Sequence, residues 1–143
     1  MSEGNKALAR REVEEIFTQG KLDVAEEIYT SDFVDHDLVL PREMHGPEEM
    51  KEYVGMYRSA FPDFKVTLED QVAEGDKVVN RWTAQGTHLG EYMGIAPTGR
   101  EVRFAGMHIS RIDQEGKIAE NWEVYDLMGL MRQIGAVSTP EQA

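Results

Sequence analysis

Residues 46–72 read GPEEMKEYVGMYRSAFPDFKVTLEDQV, and they join a helical pattern to a strand pattern. In the first part, apolar residues recur at helical spacing, namely Met50, Tyr53, Val54, Tyr57 and Phe61. Pro47 suits the first position of a helix, and Pro62 ends the helical pattern. After Pro62 the apolar period falls to two, at Val66 and Leu68. The stretch therefore predicts a helix that leads directly into a β-strand.

Helical patterns precede this stretch and alternating patterns follow it. Helices are predicted over residues 6–19 and 22–29, and residues 32–40 are interpreted as an extended segment or loop. Strands are predicted over residues 77–87, 100–112 and 117–126, with turns at 74–76 and 114–116, and a last helix over 127–134. Helices followed by consecutive hairpin-linked strands indicate an α+β fold with an antiparallel sheet. We expect one domain, residues 1–143, with flexible ends at 1–4 and 136–143.

The composition excludes several classes of function. With 15 Lys and Arg against 27 Asp and Glu, the net charge is −12, which repels nucleic acid and anionic lipid. The absence of cysteine excludes disulfides, thiol nucleophiles and cysteine-bound metals. No apolar run is long enough to span a bilayer, and the first residues do not resemble a signal peptide. We therefore expect a cytoplasmic protein that binds neither nucleic acid nor membranes.

Alternation along the last two predicted strands indicates which side chains face the helices. The even positions of residues 100–112 include Phe104 and His108, and those of residues 117–126 include Trp122, Val124 and Asp126. The odd positions are more polar on balance, so we predict that the even positions share the helix-covered side. This interpretation places the Asp126 carboxyl in a mostly apolar hollow.

Two further segments contain candidate site residues. His36 lies between Asp35 and Asp37, and these are residue types that bind metals, but no second ligand follows at a defined spacing, so no metal is expected. The Gly-rich connection 86–99 contains His88, which either packs within the loop or gates a pocket together with Arg100. This connection matches neither a dinucleotide fingerprint nor a P-loop.

Several short motifs together resemble a known family. They are Phe33-Val-Asp-His36, Ala60-Phe-Pro-Asp63, Glu74-Gly-Asp-Lys-Val-Val79, Gly86-Thr-His88 with Gly94, Pro97-Thr-Gly-Arg100, Gly116-Lys-Ile118 and Asp126-Leu-Met-Gly-Leu-Met-Arg-Gln-Ile-Gly135. On these motifs, over residues 5–135, the chain resembles the SnoaL-like polyketide cyclases (ester cyclase type) of the nuclear transport factor 2-like (NTF2-like) superfamily.

The resemblance implies a cone in which three N-terminal helices pack on a strongly curved antiparallel sheet around a pocket, followed by a short C-terminal helix. It also implies a homodimer through the outer sheet face, where Met107, Ile109 and Tyr125 would lie. Family cyclases use a pocket aspartate as acid and base, with a nearby histidine and no cofactor. By position, Asp126 matches the aspartate and His108 the histidine.

Each catalytic candidate also has a structural interpretation. Asp126 directly precedes the last predicted helix and could serve only as its N-cap. His108 could be a core histidine bonded to a neighbour such as Glu120. The residues expected to line a hydrophobic substrate are His36, Trp82, His88, Phe104, Trp122, Tyr57 and Met131.

The leading functional hypothesis is a cofactor-independent aldol cyclase, or a related isomerase or hydrolase, that acts on a hydrophobic carbonyl-bearing small molecule. One alternative is a non-catalytic, NTF2-like binding or stress-related module. A second alternative is an epoxide hydrolase, for which Asn80, Arg81 and Glu120 are the available polar candidates.

Overall fold

The computed structural model describes residues 2–137, which form helices on one side of a single sheet. The helices are α1 (Ser2–Arg11), which continues as a π-helical segment (Glu12–Thr18), α2 (Ala25–Ile28) after a 3-10 turn (Leu22–Val24), α3 (Gly46–Ala60) and α4 (Leu127–Gln133). The strands are β1 (Tyr29–Asp37), β2 (Arg42–His45), β3 (Lys65–Glu74), β4 (Lys77–Thr87), β5 (Glu101–Ile112) and β6 (Ile118–Tyr125).

In this part of the chain the strands form one sheet of order β2-β1-β6-β5-β4-β3. Neighbouring strands are antiparallel except β1 and β6, which run parallel. The predicted α+β fold is confirmed, and the four strands from β3 to β6 follow the sequence interpretation. Residues 32–40 were interpreted as an extended segment or loop, and residues 32–37 are extended, as part of β1, which pairs with β2 and β6 on its two edges over residues 34–37.

Helix α3 and the first helix cover the concave face of the sheet. The apolar stripe predicted for α3 is buried at Met50, Tyr53, Val54 and Tyr57, with Phe61 buried just beyond the helix. This helix packs mainly on β1, whereas α1 and its π-helical segment pack on β3 and β4. The core therefore lies between one layer of helices and the sheet.

A β-bulge in β6 decides which of its residues point into the core. Arg111 of β5 pairs with Glu120, but the next residue, Ile112, pairs with Ile118, so Ala119 is an extra residue in β6. One extra residue reverses the inward and outward positions beyond it. After the bulge the buried residues are Asn121, Glu123 and Tyr125, and the outward ones are Trp122 and Val124. The prediction that the even positions of this strand face the helices was therefore wrong beyond the bulge.

Helix α1 begins at Ser2, four residues before the predicted start, so residues 2–4 are helical. Of the two ends predicted to be flexible, residues 1 and 138–143 lie outside the described residues. Within residues 2–137, no helix combines the length and the hydrophobicity needed to cross a membrane.

Candidate active site

A hollow opens between the concave sheet face, α3 and the first helix. The empty space within it, with open solvent at the mouth included, is about 520 Å³, and the part that the centre of a water molecule can occupy is about 40 Å³. Its lining consists of Glu12, Val13, Phe17, Asp35, Tyr53, Tyr57, Phe64, Val66, Trp82, Phe104, His108, Asn121, Glu123 and Tyr125. The walls are thus largely aromatic, and the carboxyl groups are concentrated on β1, β6 and the first helix.

Glu123 lies on β6 directly opposite His108 of β5, and its side chain is 8% exposed. The Tyr53 hydroxyl of α3 donates a hydrogen bond of 2.6 Å to Glu123 Oε1. Burial raises the pKa of Glu123 to about 7, although the hydrogen bond from Tyr53 and the nearby His108 act in the opposite direction. A carboxyl with this pKa can take up and return a proton near neutral pH.

Asp35 lies on β1, on the same face of the sheet as Glu123. It pairs with Asn121, and the next pair along the two strands joins Asp37 to Glu123 on that face. Asp35 is 1% exposed, and among residues 2–137 no side-chain or backbone donor bonds its carboxyl oxygens, which instead neighbour the carboxyl group of Glu123. Desolvation, followed by the negative charges of Glu123 and Glu12, raises the pKa of Asp35 well above its ordinary value.

Glu12 begins the π-helical segment and points into the hollow. Its Oε2 accepts hydrogen bonds from the Tyr29 hydroxyl and, at 2.8 Å, from Asn121 Nδ2. Its Oε1 lies 3.3 Å from His108 Nε2. Both neighbours of Oε2 are hydrogen-bond donors. A π-helical turn at this position is consistent with a functional site.

The His108 ring lies beside the side chains of Asn80 and Glu12. Asn80 Nδ2 donates to the Ala9 carbonyl at 3.3 Å, while Asn80 Oδ1 accepts from Gln71 Nε2 at 2.9 Å. The same Nδ2 lies 3.2 Å from His108 Nε2. Nε2 can accept from Asn80 Nδ2 when the ring carries its proton on Nδ1, and it can donate to Glu12 Oε1 when the proton is on Nε2. A proton added to Nε2 would face Glu12 Oε1.

The structure places His108, Trp82, Phe104 and Tyr57 in the wall of the hollow, where the sequence interpretation expected them. Gly106 leaves space for the Trp82 ring, which a Cβ at this position would overlap. Trp82 also meets Phe104 edge to face, with ring centroids 5.9 Å apart. These contacts hold the indole at the mouth of the hollow.

Asp126 was predicted to face the pocket, and this placement was wrong. Its side chain is exposed, and Oδ1 accepts a hydrogen bond of 2.8 Å from the Gly129 N–H as the N-cap of α4. Because the bulge in β6 turns this residue outward, the capping interpretation describes its environment. A side chain on this face cannot touch a ligand in the hollow.

Trp122 and His36 also lie outside the hollow, on the outer sheet face, and their predicted contact with substrate was wrong. Their rings stack at 5.6 Å. His36 Nδ1 lies 2.7 Å from Glu43 and Nε2 lies 2.7 Å from Glu120. The described residues contain no group of three or more His, Asp or Glu side chains arranged to hold a metal ion.

His88 and Met131 are likewise absent from the lining of the hollow. His88 is fully buried, contacts the Phe61 ring and lies 3.0 Å from Thr98 Oγ1 through Nδ1. This geometry matches the packing interpretation of the Gly-rich loop. Met131 packs against the core from α4.

The residues that sequence reasoning missed are Glu12, Asp35, Tyr53, Asn121, Glu123 and Tyr125. Glu12 had a signal, because it shares the helical stripe of Ala9, Val13 and Ile16. Asp35 alternates with buried Phe33, so recognising the strand would have predicted that it faces inward. Glu123 had no such signal, since its direction depends on the bulge.

Comparison with known proteins gives a consistent picture. The family model of the SnoaL-like polyketide cyclases matches residues 7–134. A relative described as aklanonic acid methyl ester cyclase DnrD from Streptomyces peucetius is 34% identical over 138 residues, which cover 94% of this chain and 93% of the relative. Another, aklanonic acid methyl ester cyclase AcmA from Streptomyces galilaeus, is 28% identical over 129 residues, with 89% and 88% covered.

Solved structures share the fold over nearly the whole chain. TsrD from Streptomyces laurentii superposes with a TM-score of 0.83 at 27% identity, covering 94% of this chain and 97% of that chain. IdmH from Streptomyces antibioticus superposes with a TM-score of 0.78 at 29% identity, with 92% and 98% covered. The helix-covered, curved sheet is therefore common to these proteins.

Proposed function

This chain belongs to the SnoaL-like polyketide cyclase family and is an enzyme of the cyclase type, and we propose that it closes a ring by intramolecular aldol condensation with Glu123 as the base. The observation that carries this proposal is a buried carboxyl with a pKa of about 7 in an aromatic hollow. At neutral pH a carboxyl with this pKa is ionised in a large fraction of the molecules, and it is a stronger base than an ordinary carboxylate. It can therefore remove a proton from a carbon beside a carbonyl.

Hydrogen-bond donors near Glu123 support the same chemistry. Removal of a proton from a carbon beside a carbonyl leaves an enolate, whose charge needs a donor. His108 lies directly opposite Glu123 in the sheet, and we assign it the role of orienting the substrate or stabilising the enolate. The reaction needs neither oxidation nor group transfer, so side chains alone can carry it.

The walls indicate the substrate class. Trp82, Phe104 and Tyr57 offer ring faces to a hydrophobic molecule with carbonyl groups, and the relatives named above are cyclases of aklanonic acid methyl ester. The hollow admits the centre of a water molecule over only about 40 Å³, which is narrow for a multi-ring ligand, so we expect the half-buried Trp82 to move when the ligand enters.

The direct test is turnover of aklanonic acid methyl ester, followed by chromatography and mass spectrometry. We expect ring closure by the wild type and a loss of about 10²-fold or more in Glu123→Gln. Glu120→Gln is the matched control, because Glu120 lies on the same strand but bonds His36 and Arg111 instead of lining the hollow. Tight binding without turnover, unaffected by Glu123→Gln, would overturn the proposal in favour of the binding module.

The epoxide hydrolase alternative has less support. It requires an arginine that holds the active-site carboxylates, and among residues 2–137 no arginine lines the hollow. Arg81, the candidate from the sequence, is exposed, and Glu120 lies on the other side of the sheet from Glu123.

We also propose a homodimer through the outer face of the sheet. Met107 is 46%, Ile109 37% and Val124 47% exposed, and Met107 pairs directly with Val124 across β5 and β6. A contiguous apolar patch of this kind favours association with a second copy. Tyr125, which was expected on this face, points into the hollow instead. Sedimentation of wild type and Ile109→Glu tests the proposal, and a monomeric wild type would refute it. A cytoplasmic location stays a prediction.

A further inference from the structure

We propose that Asp35 is the general acid of the cyclisation: it enters the cycle as a neutral carboxyl and donates its proton to the carbonyl oxygen that becomes the new alcohol. The proposal rests on the proposed function, because it uses the same hollow and the same reaction. It adds a second carboxyl to the mechanism and divides the acid and base roles between Asp35 and Glu123.

The position of Asp35 points to this role. Its side chain lines the hollow and is buried, and in the part of the chain that the structure describes neither oxygen accepts a hydrogen bond from a side-chain or backbone donor. Its hydrogen-bonding neighbour is the carboxyl group of Glu123. Two carboxyl groups can form a hydrogen bond only while one of them keeps its proton, so this contact holds a proton between Asp35 and Glu123, and a carbonyl oxygen of a ligand in the hollow can become its acceptor. Asp37, two residues along the same face, provides the contrast. It accepts bonds from Tyr125 Oη at 2.7 Å and Arg42 Nε at 3.1 Å.

The groups around Asp35 favour its neutral form. Glu12 faces it from the first helix, Glu123 from β6 and Asp37 from its own strand, and all three carboxyl groups raise its pKa. The opposing groups in the same hollow are His108 on β5 and the neutral hydroxyl of Tyr53 on α3, which already donates to Glu123. No Lys or Arg among residues 2–137 lines the hollow. Burial first, and repulsion by these like charges second, raise the pKa of Asp35 and favour its protonated form.

The proposed steps balance without any added reactant. The Glu123 carboxylate removes a proton from the carbon beside one carbonyl, and the enolate carbon forms the new C–C bond to a second carbonyl carbon. As the C=O π bond of that carbonyl breaks, its oxygen takes the proton of Asp35. The proton now on Glu123 then passes to Asp35, which restores both groups. The product is an isomer of the substrate, with one C–H and one C=O bond converted into C–C and O–H bonds.

Infrared spectroscopy tests the protonation state without any substrate. At about pH 8, where Glu123 is mostly ionised, we expect the wild type to show the C=O stretch of one neutral carboxylic acid. This band should vanish in Asp35→Asn and persist in Asp32→Asn, the same change at an exposed position of β1. It should also persist in Glu123→Gln, which distinguishes the two carboxyls. A wild type without the band, or an Asp35→Asn protein that keeps it, would overturn the inference.

Kinetics test the role in the reaction. With aklanonic acid methyl ester, we expect kcat of the wild type to fall on both sides of neutral pH, since one carboxyl must be ionised and the other protonated. Asp35→Asn should lower kcat by about 10²-fold or more with little change in KM, and should remove the alkaline limb of the profile. An unchanged alkaline limb contradicts the acid role of Asp35. If the wild type shows no turnover, the proposed function is overturned instead. The infrared experiment still shows whether Asp35 is protonated.

Discussion

Replacing Glu123 by Gln should abolish turnover and, at the same time, stabilise the protein above neutral pH. The pKa of Glu123 is raised from 4.5 to about 7, so the folded protein holds its proton at pH values where the unfolded chain has released it. Folding stability therefore falls as the pH rises from about 4.5 to about 7 and stays lower above that range. The Gln side chain carries no charge at any of these pH values and avoids this loss.

The magnitude follows from the two pKa values. A pKa of about 7 against the ordinary 4.5 corresponds, at 1.36 kcal/mol for each pKa unit, to about 3 kcal/mol of unfolding free energy above neutral pH. Glu123 is 8% exposed, so screening by solvent is small. The Gln amide oxygen can still accept the hydrogen bond from Tyr53, which limits any separate cost of the substitution.

Urea unfolding at a series of pH values, with the protein concentration held constant, measures this effect. The quantity of interest is the free energy of unfolding of Glu123→Gln minus that of the wild type. We expect it to rise by about 3 kcal/mol between acidic and alkaline pH, because contributions that do not depend on pH cancel from the change. Glu120→Gln, at an outward position with a lowered pKa, should show no such rise. A difference that stays constant or falls with pH would refute the reasoning.

Three other changes test the arrangement of the site. Asp126→Ala should lower the free energy of unfolding by about 1 kcal/mol, because α4 loses its N-cap, and should leave turnover unchanged. Urea unfolding and kinetics measure the two effects. A loss of turnover would contradict the placement of Asp126 outside the hollow. Tyr53→Phe removes the hydrogen bond that lowers the pKa of Glu123, so the acid limb of the kcat profile should move to higher pH, and an unmoved limb would count against Glu123 as the base. Gly106→Ala should destabilise the protein by about 1–3 kcal/mol and change the Trp82 fluorescence. The reason is that the new Cβ overlaps the indole and lies 2.8 Å from the Val124 carbonyl oxygen. A Gly106→Ala protein with the stability and fluorescence of the wild type would show that this close approach is absent.

The sequence by itself determined the longer helices, the strands β3 to β6 and their order, whereas β1 was left open between an extended segment and a loop and β2 was not predicted. Helix α3 was predictable because its apolar stripe, its N-terminal Pro47 and the following Pro62 are local features that need no knowledge of the fold. The strands β3, β4 and β5 were predictable for the same reason, as was the inward direction of Phe104 and His108 on β5. These features depend on residues within a few positions of one another.

Only the tertiary structure decided which carboxyl groups meet in the hollow. The direction of Glu123 depends on how many residues of β6 oppose β5, and the pairing of Ile112 with Ile118 after Arg111 with Glu120 inserts Ala119 and reverses the alternation. The Asp35 side chain faces the hollow only because β1 pairs with β6, and this pairing joins residues more than 80 positions apart in the chain. Alternation has a period of two, so one inserted residue moves Asp126 to the outer face and Glu123 to the pocket.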